Sequence, residues 1–267
     1  MASRSSASDL GGHRESSSSS LRQATGSSQR YFADLHAHSR ASFDSLASPA
    51  SLVRTAAARG LTHLAITDHD RIDGALEGRD KAASIAPALT VIVGEEVNTA
   101  DGDLICLFVE RAIPPGLSAA ETIAEARAQG ALVGIPHPFD RFRGSLLRSA
   151  SMEQVAQLVD WVEGYNARVA GGRANERAAE FALANDLGQI AVSDAHSAFE
   201  VAVAYTVFDR DPSTAAGLLA ALPDADLIVG RASFYVRLLT PIAKVVQRRR
   251  GNGRIRPARD RSASAAR

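Results

Sequence analysis

The sequence has few of the features that mark secreted or membrane proteins. Its 267 residues include one cysteine, Cys106, so no disulfide can form within the chain and we expect a reducing, cytoplasmic setting. No apolar run approaches the roughly 20 residues of a membrane helix. The Ser-rich N-terminus has no apolar stretch of a secretory signal. The formal net charge is 0, which predicts no polyanion partner for the chain as a whole.

Charge is nevertheless distributed unevenly along the chain. From Lys244 to Arg267 there are nine basic residues and one acidic residue, a local charge of +8, so the rest carries −8. Residues 1–29 are Ser-rich with few apolar side chains, which predicts a disordered leader. We therefore expect a folded domain over 30–243 and a basic, disordered tail over 244–267. An alternative role for the tail is contact with anionic lipid or nucleic acid.

Short apolar runs alternate with helical patterns between residues 31 and 221. Leu61–Thr67 is typical of a strand buried on both faces, and Ser48-Pro49 of a helix start. Asp101-Gly102 predicts the turn of a hairpin. The alternation predicts an α/β fold with a parallel sheet, and six or seven such units would close into a distorted barrel.

Acidic residues and histidines follow nearly every predicted strand. The set comprises His36, His38, Asp44, Asp68, His69, Glu96, His137, Asp194 and His196. Because residues i and i+2 of a strand face the same side, His36 and His38 can hold one metal ion. For that pair alone, two histidines on a solvated loop would be the simpler interpretation. The whole set, at the edge where parallel α/β folds build active sites, predicts a centre for zinc, manganese or iron. His63, inside a strand, is interpreted as a packing or hydrogen-bonding residue.

Five motifs in order, DLHAHS, TDHD, G-x-E, PHP and SDAH, lie within residues 31–210. This order resembles the polymerase and histidinol phosphatase (PHP) superfamily of metal-dependent phosphoesterases. The resemblance implies a distorted (β/α)7 TIM-like barrel. It also implies two or three divalent metal ions (Zn, Mn or Fe) in a cleft at the carboxyl ends of the strands.

Carried over position by position, the resemblance implies three metal sites. The first uses His36, His38, Glu96 and Asp194, the second shares Glu96 and adds His137, and the third uses Asp44, His69 and His196. Many relatives have a further histidine on the strand after the bridging glutamate, where this chain has Ile105. Cys106 is a conceivable substitute, but its apolar neighbours favour a buried structural thiol.

The resemblance further implies hydrolysis of a phosphate ester by a metal-activated water. Asp68, Asp194 and His196 are the candidates for moving protons. Asp34 and Asp68 are expected to orient neighbouring imidazoles. Arg143 and Arg168, each after a strand end, are candidate phosphate clamps.

Three substrate and function classes remain open at this point. The acidic body disfavours long polyanions, so a small phosphomonoester or nucleotide is the first choice. A 5′–3′ exonuclease acting on short RNA or DNA is the second. The third is a catalytically inert barrel that binds metal or a phosphorylated ligand and regulates a partner.

Overall fold

The computed structural model describes residues 29–140, 149–169 and 173–255, and strands alternate with helices through most of this length. The elements are β1 (Tyr31–Asp34), α1 (Pro49–Ala58), β2 (His63–Ile66), α2 (Asp73–Ile85), β3 (Thr90–Asn98), β4 (Asp103–Leu107), α3 (Ala119–Arg127), β5 (Leu132–Ile135), α4 (Ser149–Ala156), β6 (Trp161–Asn166), α5 (Ala174–Ala184), β7 (Gly188–Val192), β8 (Tyr205–Phe208), α6 (Ala215–Ala221), β9 (Asp226–Ile228), α7 (Phe234–Arg237) and α8 (Leu239–Arg249). Within the described residues, each helix is too short or too polar to cross a bilayer.

Helix starts follow the local chemistry of the sequence. The Ser48 side chain caps α1 by accepting from Ser51 N at 3.1 Å, with Pro49 in the first turn, so the predicted start is confirmed. Ser118 and Glu121 form a reciprocal capping box on α3. These caps satisfy amide groups that have no partner within the helix.

The described strands form one mixed sheet in the order β7-β6-β5-β4-β3-β2-β1-β8-β9. Parallel pairing joins β1, β2 and β3 on one side and β5, β6 and β7 on the other. Strand β4 runs antiparallel to β3 and β5, and β8 runs antiparallel to β1 and β9. The predicted parallel sheet is therefore interrupted at β4, β8 and β9. The hairpin expected at Asp101-Gly102 accounts for the reversal into β4.

The sheet curls until its two ends meet, which makes it a nearly closed, distorted barrel. The buried Thr206 hydroxyl on β8 accepts from Ala191 N at 2.9 Å and lies 3.0 Å from Ala191 O on β7. A side chain thus joins two strands that lack a backbone ladder. The predicted α/β barrel class is confirmed.

Two apolar layers hold the barrel together. One fills its interior and includes Leu35, Ile105 and Trp161, and the other lies between the strands and the helices. Gly134 pairs with Trp161 across β5 and β6, and a Cβ at Gly134 would lie 2.2 Å from the indole ring. The interior is therefore a packed core below the polar edge.

The end of the chain differs from the expected disordered tail. Helix α8 continues to Arg249. Beyond it, Asn252 donates to Ala41 O in the loop between β1 and α1. The buried Gln247 amide lies 2.6 Å from Arg40 O, 3.0 Å from Ser42 O and 2.7 Å from Ser45 O of that loop. Residues 1–28 and 256–267 lie outside the described part, so the division into leader, domain and tail stays a prediction.

Candidate metal centre

The carboxyl edge of the barrel carries the predicted ligand set. His36 and His38 follow β1, Asp44 lies in the next loop, His69 follows β2, Glu96 is in β3, His137 follows β5, and Asp194 and His196 follow β7. All eight side chains are at most 7% exposed. The barrel therefore gathers them at one edge, as the positions of the strand ends predicted.

Backbone contacts beyond the strands bring the ligand-bearing loops side by side. Ala37 and Ala195 form an isolated parallel bridge, and His38 N donates to Ala195 O at 2.7 Å. A second isolated bridge joins His69 to Glu96. The main chain itself therefore places the first, second, third and seventh strand ends next to one another.

Four residues form what we call the deep group: His36, His38, Glu96 and Asp194. The Nε2 atoms of His36 and His38 face each other at 2.9 Å. Glu96 Oε2 lies 3.4 Å from His36 Nε2 and 3.3 Å from His38 Nε2. Asp194 Oδ1 is 3.6 Å and 3.4 Å from the same two nitrogens. Two facing imidazole nitrogens require a shared proton or a shared cation, and two carboxylates converge on them.

Glu96 also connects the deep group to His137. Its Oε1 is 3.0 Å from His137 Nε2, while its Oε2 faces the deep group. Ile105 is paired directly opposite Glu96 and is buried in the barrel interior. The neighbouring Cys106 is buried in the other apolar layer, and burial raises the pKa of its thiol far above its usual range. The thiol is therefore neutral, as expected of a structural cysteine.

Three residues form what we call the outer group: Asp44, His69 and His196. Asp44 Oδ2 lies 3.4 Å from His69 Nε2 and 3.2 Å from His196 Nε2. Each of these residues and His38 contributes one ligand atom to a cluster in which all four atoms lie within 4.8 Å of one another. Three imidazoles and a carboxylate match the donor set of a four-coordinate zinc site.

The donor atoms fit divalent cations because some of them are buried without a hydrogen bond. Glu96 Oε2 and His69 Nδ1 have no hydrogen bond in the described structure, although they lie 3.4 Å apart. A buried carboxylate oxygen without a donor is costly. A cation at this point would satisfy the oxygen and the imidazole nitrogens around it.

Two residues of the centre adopt backbone conformations that are unusual for side chains other than glycine. His137 has φ of 30° and Asp194 has φ of 53°. Such conformations persist where the surrounding structure enforces them, and they cluster at functional sites. Here they lie at two of the strand ends that supply the ligands.

Charge in the metal-free protein is balanced between imidazoles and carboxylates. Burial disfavours imidazolium, but Asp194 and Glu163 outweigh it and raise the pKa of His36 well above its usual range. Glu96 and Asp44 likewise outweigh burial at His69 and raise its pKa to about 9. At His196, burial and the nearby Arg168 lower the pKa to about 3. Cations entering the centre must therefore displace protons, chiefly from the first two imidazoles.

One important residue escaped the sequence-based prediction. Glu163, in the middle of β6, lies with Oε1 2.6 Å from His36 Nδ1 and accepts with Oε2 from His137 N at 2.7 Å. A carboxylate on Nδ1 fixes the imidazole so that Nε2 faces the ligand cluster. The available signal was an acidic residue within an otherwise buried apolar strand.

A second missed carboxylate lies at the start of β4. Because β4 runs antiparallel to β3, Asp103 at its start pairs with Asn98 at the carboxyl end of β3, the barrel edge that carries the candidate ligands. One of its oxygens falls within 4.8 Å of the ligand atoms of His69 and Glu96. Arg254, from the end of the described chain, donates to Asp103 Oδ1 at 3.2 Å.

Asp34 and Asp68 were expected to orient neighbouring imidazoles. In the structure both accept hydrogen bonds from loop residues instead. Asp34 accepts from Ser193 N at 3.0 Å and from Ala202 N at 2.8 Å. Asp68 accepts from Ser39 N at 2.6 Å and from Ser39 Oγ at 2.7 Å. Both therefore position segments next to ligands, and the proton-transfer role of Asp68 stays a prediction.

The two predicted phosphate clamps have different outcomes. Arg168 is largely buried, with Nη1 2.5 Å from Glu200 Oε1 and Nη2 2.7 Å from Thr240 Oγ1. These partners compete with its predicted role in binding substrate. Arg143 lies outside the described residues. His63 bonds Ser213 Oγ at 2.9 Å, away from the ligand set, as interpreted from the sequence.

Comparisons with known proteins place this geometry in context. A family model described as the PHP domain matches residues 34–168, just over half of the chain. A second, described as PHP-associated, matches residues 172–226. Both agree with the resemblance seen in the ligand motifs.

Individual relatives extend the comparison. An uncharacterized protein of Methanocaldococcus jannaschii is 34% identical over 146 residues, covering 51% of this chain and 81% of that protein. An error-prone DNA polymerase of Mycobacterium bovis is 40% identical over 96 residues, which are 36% of this chain and 8% of the polymerase.

A solved structure supports the fold. A two-domain protein from Bacteroides vulgatus, containing a predicted PHP-like metal-dependent phosphoesterase, has a TM-score of 0.64 at 19% identity. The match covers 76% of this chain and 65% of that longer protein. At this identity the likeness concerns the barrel fold.

Proposed function

Because the chain belongs to the PHP domain family, we propose that it hydrolyses a small phosphate ester, a phosphomonoester or nucleotide, with divalent cations held at the barrel edge. The observation that carries the proposal is the buried Oε2 of Glu96, which faces His36, His38 and His69 at 3.3–3.4 Å. Such convergence of a carboxylate and imidazoles has little structural purpose without a cation.

Each ligand group has a distinct task in this proposal. The deep group holds the innermost ion, Glu96 with His137 a second, and the outer group a third. Bound divalent ions lower the pKa of water and neutralise charge on phosphoryl oxygens. Glu163 keeps His36 in the tautomer that presents Nε2.

The chain supplies its own groups for handling protons. His196 is neutral at pH 7 because burial and Arg168 lower its pKa to about 3, so its imidazole is a weak base that suits holding a cation better than accepting a proton. Asp194 approaches both His36 and His196 and links the deep and outer groups. Asp68 accepts two hydrogen bonds from Ser39, and we assign it to positioning the segment that follows His38.

The charge of the chain favours a small substrate. Residues 1–243 carry a net −8, which opposes a long polyanion lying across the domain. The candidate ligands are almost fully buried. A terminal phosphoryl group therefore reaches them more easily than a phosphate in the middle of a nucleic-acid strand. The match to a DNA polymerase keeps a short nucleic acid as the second candidate substrate.

The test is a paired assay on protein of known metal content. Manganese- or zinc-loaded enzyme is offered a nucleoside monophosphate, histidinol phosphate and a 5′-labelled short RNA, with His36→Ala as the blank. Release of inorganic phosphate from a monoester supports the proposal. Release of nucleotides from the RNA alone replaces it with the exonuclease candidate. Bound metal without turnover of any of the three favours a binding protein instead.

A further inference from the structure

The three members of the outer group are all connected to one distant segment of the chain. This segment, residues 239–254, comprises α8 and the five residues after it, and we call it the C-terminal segment. From its basic composition we expected disorder from residue 244 onwards. In the structure it instead contacts the loop that carries Asp44 and side chains that neighbour His69 and His196.

The first connection is to the loop of Asp44. The Gln247 side-chain amide is almost fully buried and approaches three carbonyl oxygens of residues 40–45 at 2.6–3.0 Å. The Asn252 amide donates to Ala41 O at 2.9 Å, and Arg71 Nη1 donates to Asn252 Oδ1 at 2.9 Å. A loop without regular structure thus takes its shape from side chains about 200 residues away.

The second connection is to His69. Arg254 Nη2 donates to Asp103 Oδ1 at 3.2 Å, and that carboxylate lies in the same ligand-type cluster as His69. Phe43 packs on the His69 ring with centroids 4.9 Å apart. Lys244 and Arg254 both lie over the Phe43 ring, at 5.4 Å and 5.5 Å from its centroid.

The third connection is to His196. Thr240 Oγ1 accepts from Arg168 Nη2 at 2.7 Å, and Arg168 Nη1 pairs with Glu200 Oε1 at 2.5 Å. Glu200 Oε2 in turn accepts from His196 N at 3.1 Å. The buried Arg168–Glu200 pair therefore transmits the position of α8 to the backbone of the third outer ligand.

The deep group is supported differently. Glu163 binds His36, Asn166 donates to Asp194 Oδ2 at 3.1 Å, and Ser45 Oγ of the Asp44 loop donates to His38 O at 2.9 Å. Glu163 and Asn166 belong to strand β6 of the barrel. Strand β6 thus supports His36 and Asp194, whereas each of the three outer ligands is connected to the C-terminal segment.

We propose that the C-terminal segment is a positioning element of the metal centre, which sets the affinity of the outer group for its cation. The inference rests on the proposed function only in assigning cations to this cluster. Ligands on loops bind a cation tightly only if other contacts hold them in register. Displacing the segment should therefore release the outer cation and leave the deep one in place.

The test uses full-length protein and two single variants. Gln247→Glu replaces a buried donor by an acceptor opposite three carbonyl oxygens, and Thr240→Val removes the hydroxyl that Arg168 binds with little change of shape. Val245→Ala, on an exposed position of the same helix, is the matched control. Bound Mn²⁺ is counted by electron paramagnetic resonance titration, and kcat is measured at low and high Mn²⁺.

We expect both variants to weaken binding of the Mn²⁺ at the outer group about 10–100-fold, the usual cost of losing a residue that orients a ligand. The tighter Mn²⁺ stays bound, and raised Mn²⁺ restores kcat. Thermal melting with a chelator present shows whether each variant folds. If a folded Thr240→Val or Gln247→Glu protein binds Mn²⁺ with the stoichiometry and affinities of Val245→Ala, the proposal is overturned. The Mn²⁺ count decides this even if no ester is hydrolysed, so its failure is distinct from failure of the proposed function.

Discussion

The deep and outer groups differ in how the chain builds them. His36, His38 and Asp194 lie directly after strands β1 and β7, are fully buried, and are joined by a backbone bridge between Ala37 and Ala195. Asp44 belongs to a loop, and the outer group as a whole is slightly exposed. Strand ends therefore specify the deep group and also carry His69 and His196, whereas Asp44 is placed by a loop that distant residues hold.

This difference suggests how the two groups respond to change. Ligands fixed by the barrel should keep their geometry without a cation, because the main chain already places them. Ligands on loops should depend on the residues that hold those loops. Substitutions at deep ligands, at the residues that support them and far from both groups should therefore have progressively weaker effects on the centre.

The largest effect is expected from removing a deep ligand. His36→Ala or Asp194→Asn should lower kcat at least about 10³-fold, as loss of central catalytic groups does in other enzymes. Added metal should not restore the rate, because the donor itself is gone. Steady-state kinetics with metal analysis of the purified variants provide the measurement.

The matched control for that experiment is His63→Ala. His63 is an equally buried histidine that bonds Ser213 and lies outside the ligand set. It should keep the metal content and turnover of the unchanged protein while losing some stability. Substantial turnover in both His36→Ala and Asp194→Asn would contradict the assignment of the deep group.

A smaller loss is expected from Glu163→Gln, which tests the support of the deep group. The amide keeps the shape of the side chain but loses the charge that lies 2.6 Å from His36 Nδ1. Metal affinity or activity should fall about 10–100-fold, and high metal concentration should recover part of it. Isothermal titration with Mn²⁺ measures the affinity. An unchanged affinity would show that the backbone alone holds His36.

The sequence identified most of the side chains that the structure gathers at the barrel edge, because the strand-end rule applies to residues that follow an apolar run; their role as metal ligands stays a prediction. His36, His69 and Asp194 each do so, and the structure brings them together. Glu163 and Asp103 were missed because they lie inside or at the start of strands. A carboxylate at such a position interrupts an apolar run and does not follow one, so the strand-end rule does not select it.

The contacts of the C-terminal segment could not be predicted from local pattern. Its basic composition suggested disorder, but Gln247 and Asn252 bind carbonyl oxygens of a loop about 200 residues earlier. Pairing between a side-chain amide and a distant backbone oxygen leaves no periodicity in the sequence. The same holds for Thr206, which closes the barrel through Ala191.

A pH titration above pH 6.5 should report on His69 and not on His196, because the pKa values of these two outer imidazoles are shifted in opposite directions. Carboxylates at Glu96 and Asp44 outweigh burial and raise the pKa of His69 to about 9. A raised pKa means that its charged pairs stabilise the metal-free protein below about pH 6.5, and that this contribution is lost as the pH rises through 9. Burial and Arg168 lower the pKa of His196 to about 3, so it opposes folding as the pH falls below 6.5.

The measurement is the melting temperature of chelator-treated protein from pH 6.5 to 9.5. It should fall over this range, because burial also raises the pKa of Glu95 to about 8 and acts in the same direction. The Mn²⁺-loaded protein should show a smaller decrease, since the cation has already displaced the proton of His69. Parallel curves for the two forms would contradict a cation at the outer group.

The smallest effect is expected far from both groups, in a variant that lowers stability without touching the centre. Ser118→Ala removes the side chain that accepts from Glu121 N at 3.3 Å and caps α3. Loss of such a cap costs about 1 kcal/mol of unfolding free energy. Urea unfolding should detect that loss, while the Mn²⁺ affinities of both groups stay unchanged. If the outer cation weakens here as much as in Gln247→Glu, its affinity follows global stability, and the contrast between locally and remotely supported ligands fails.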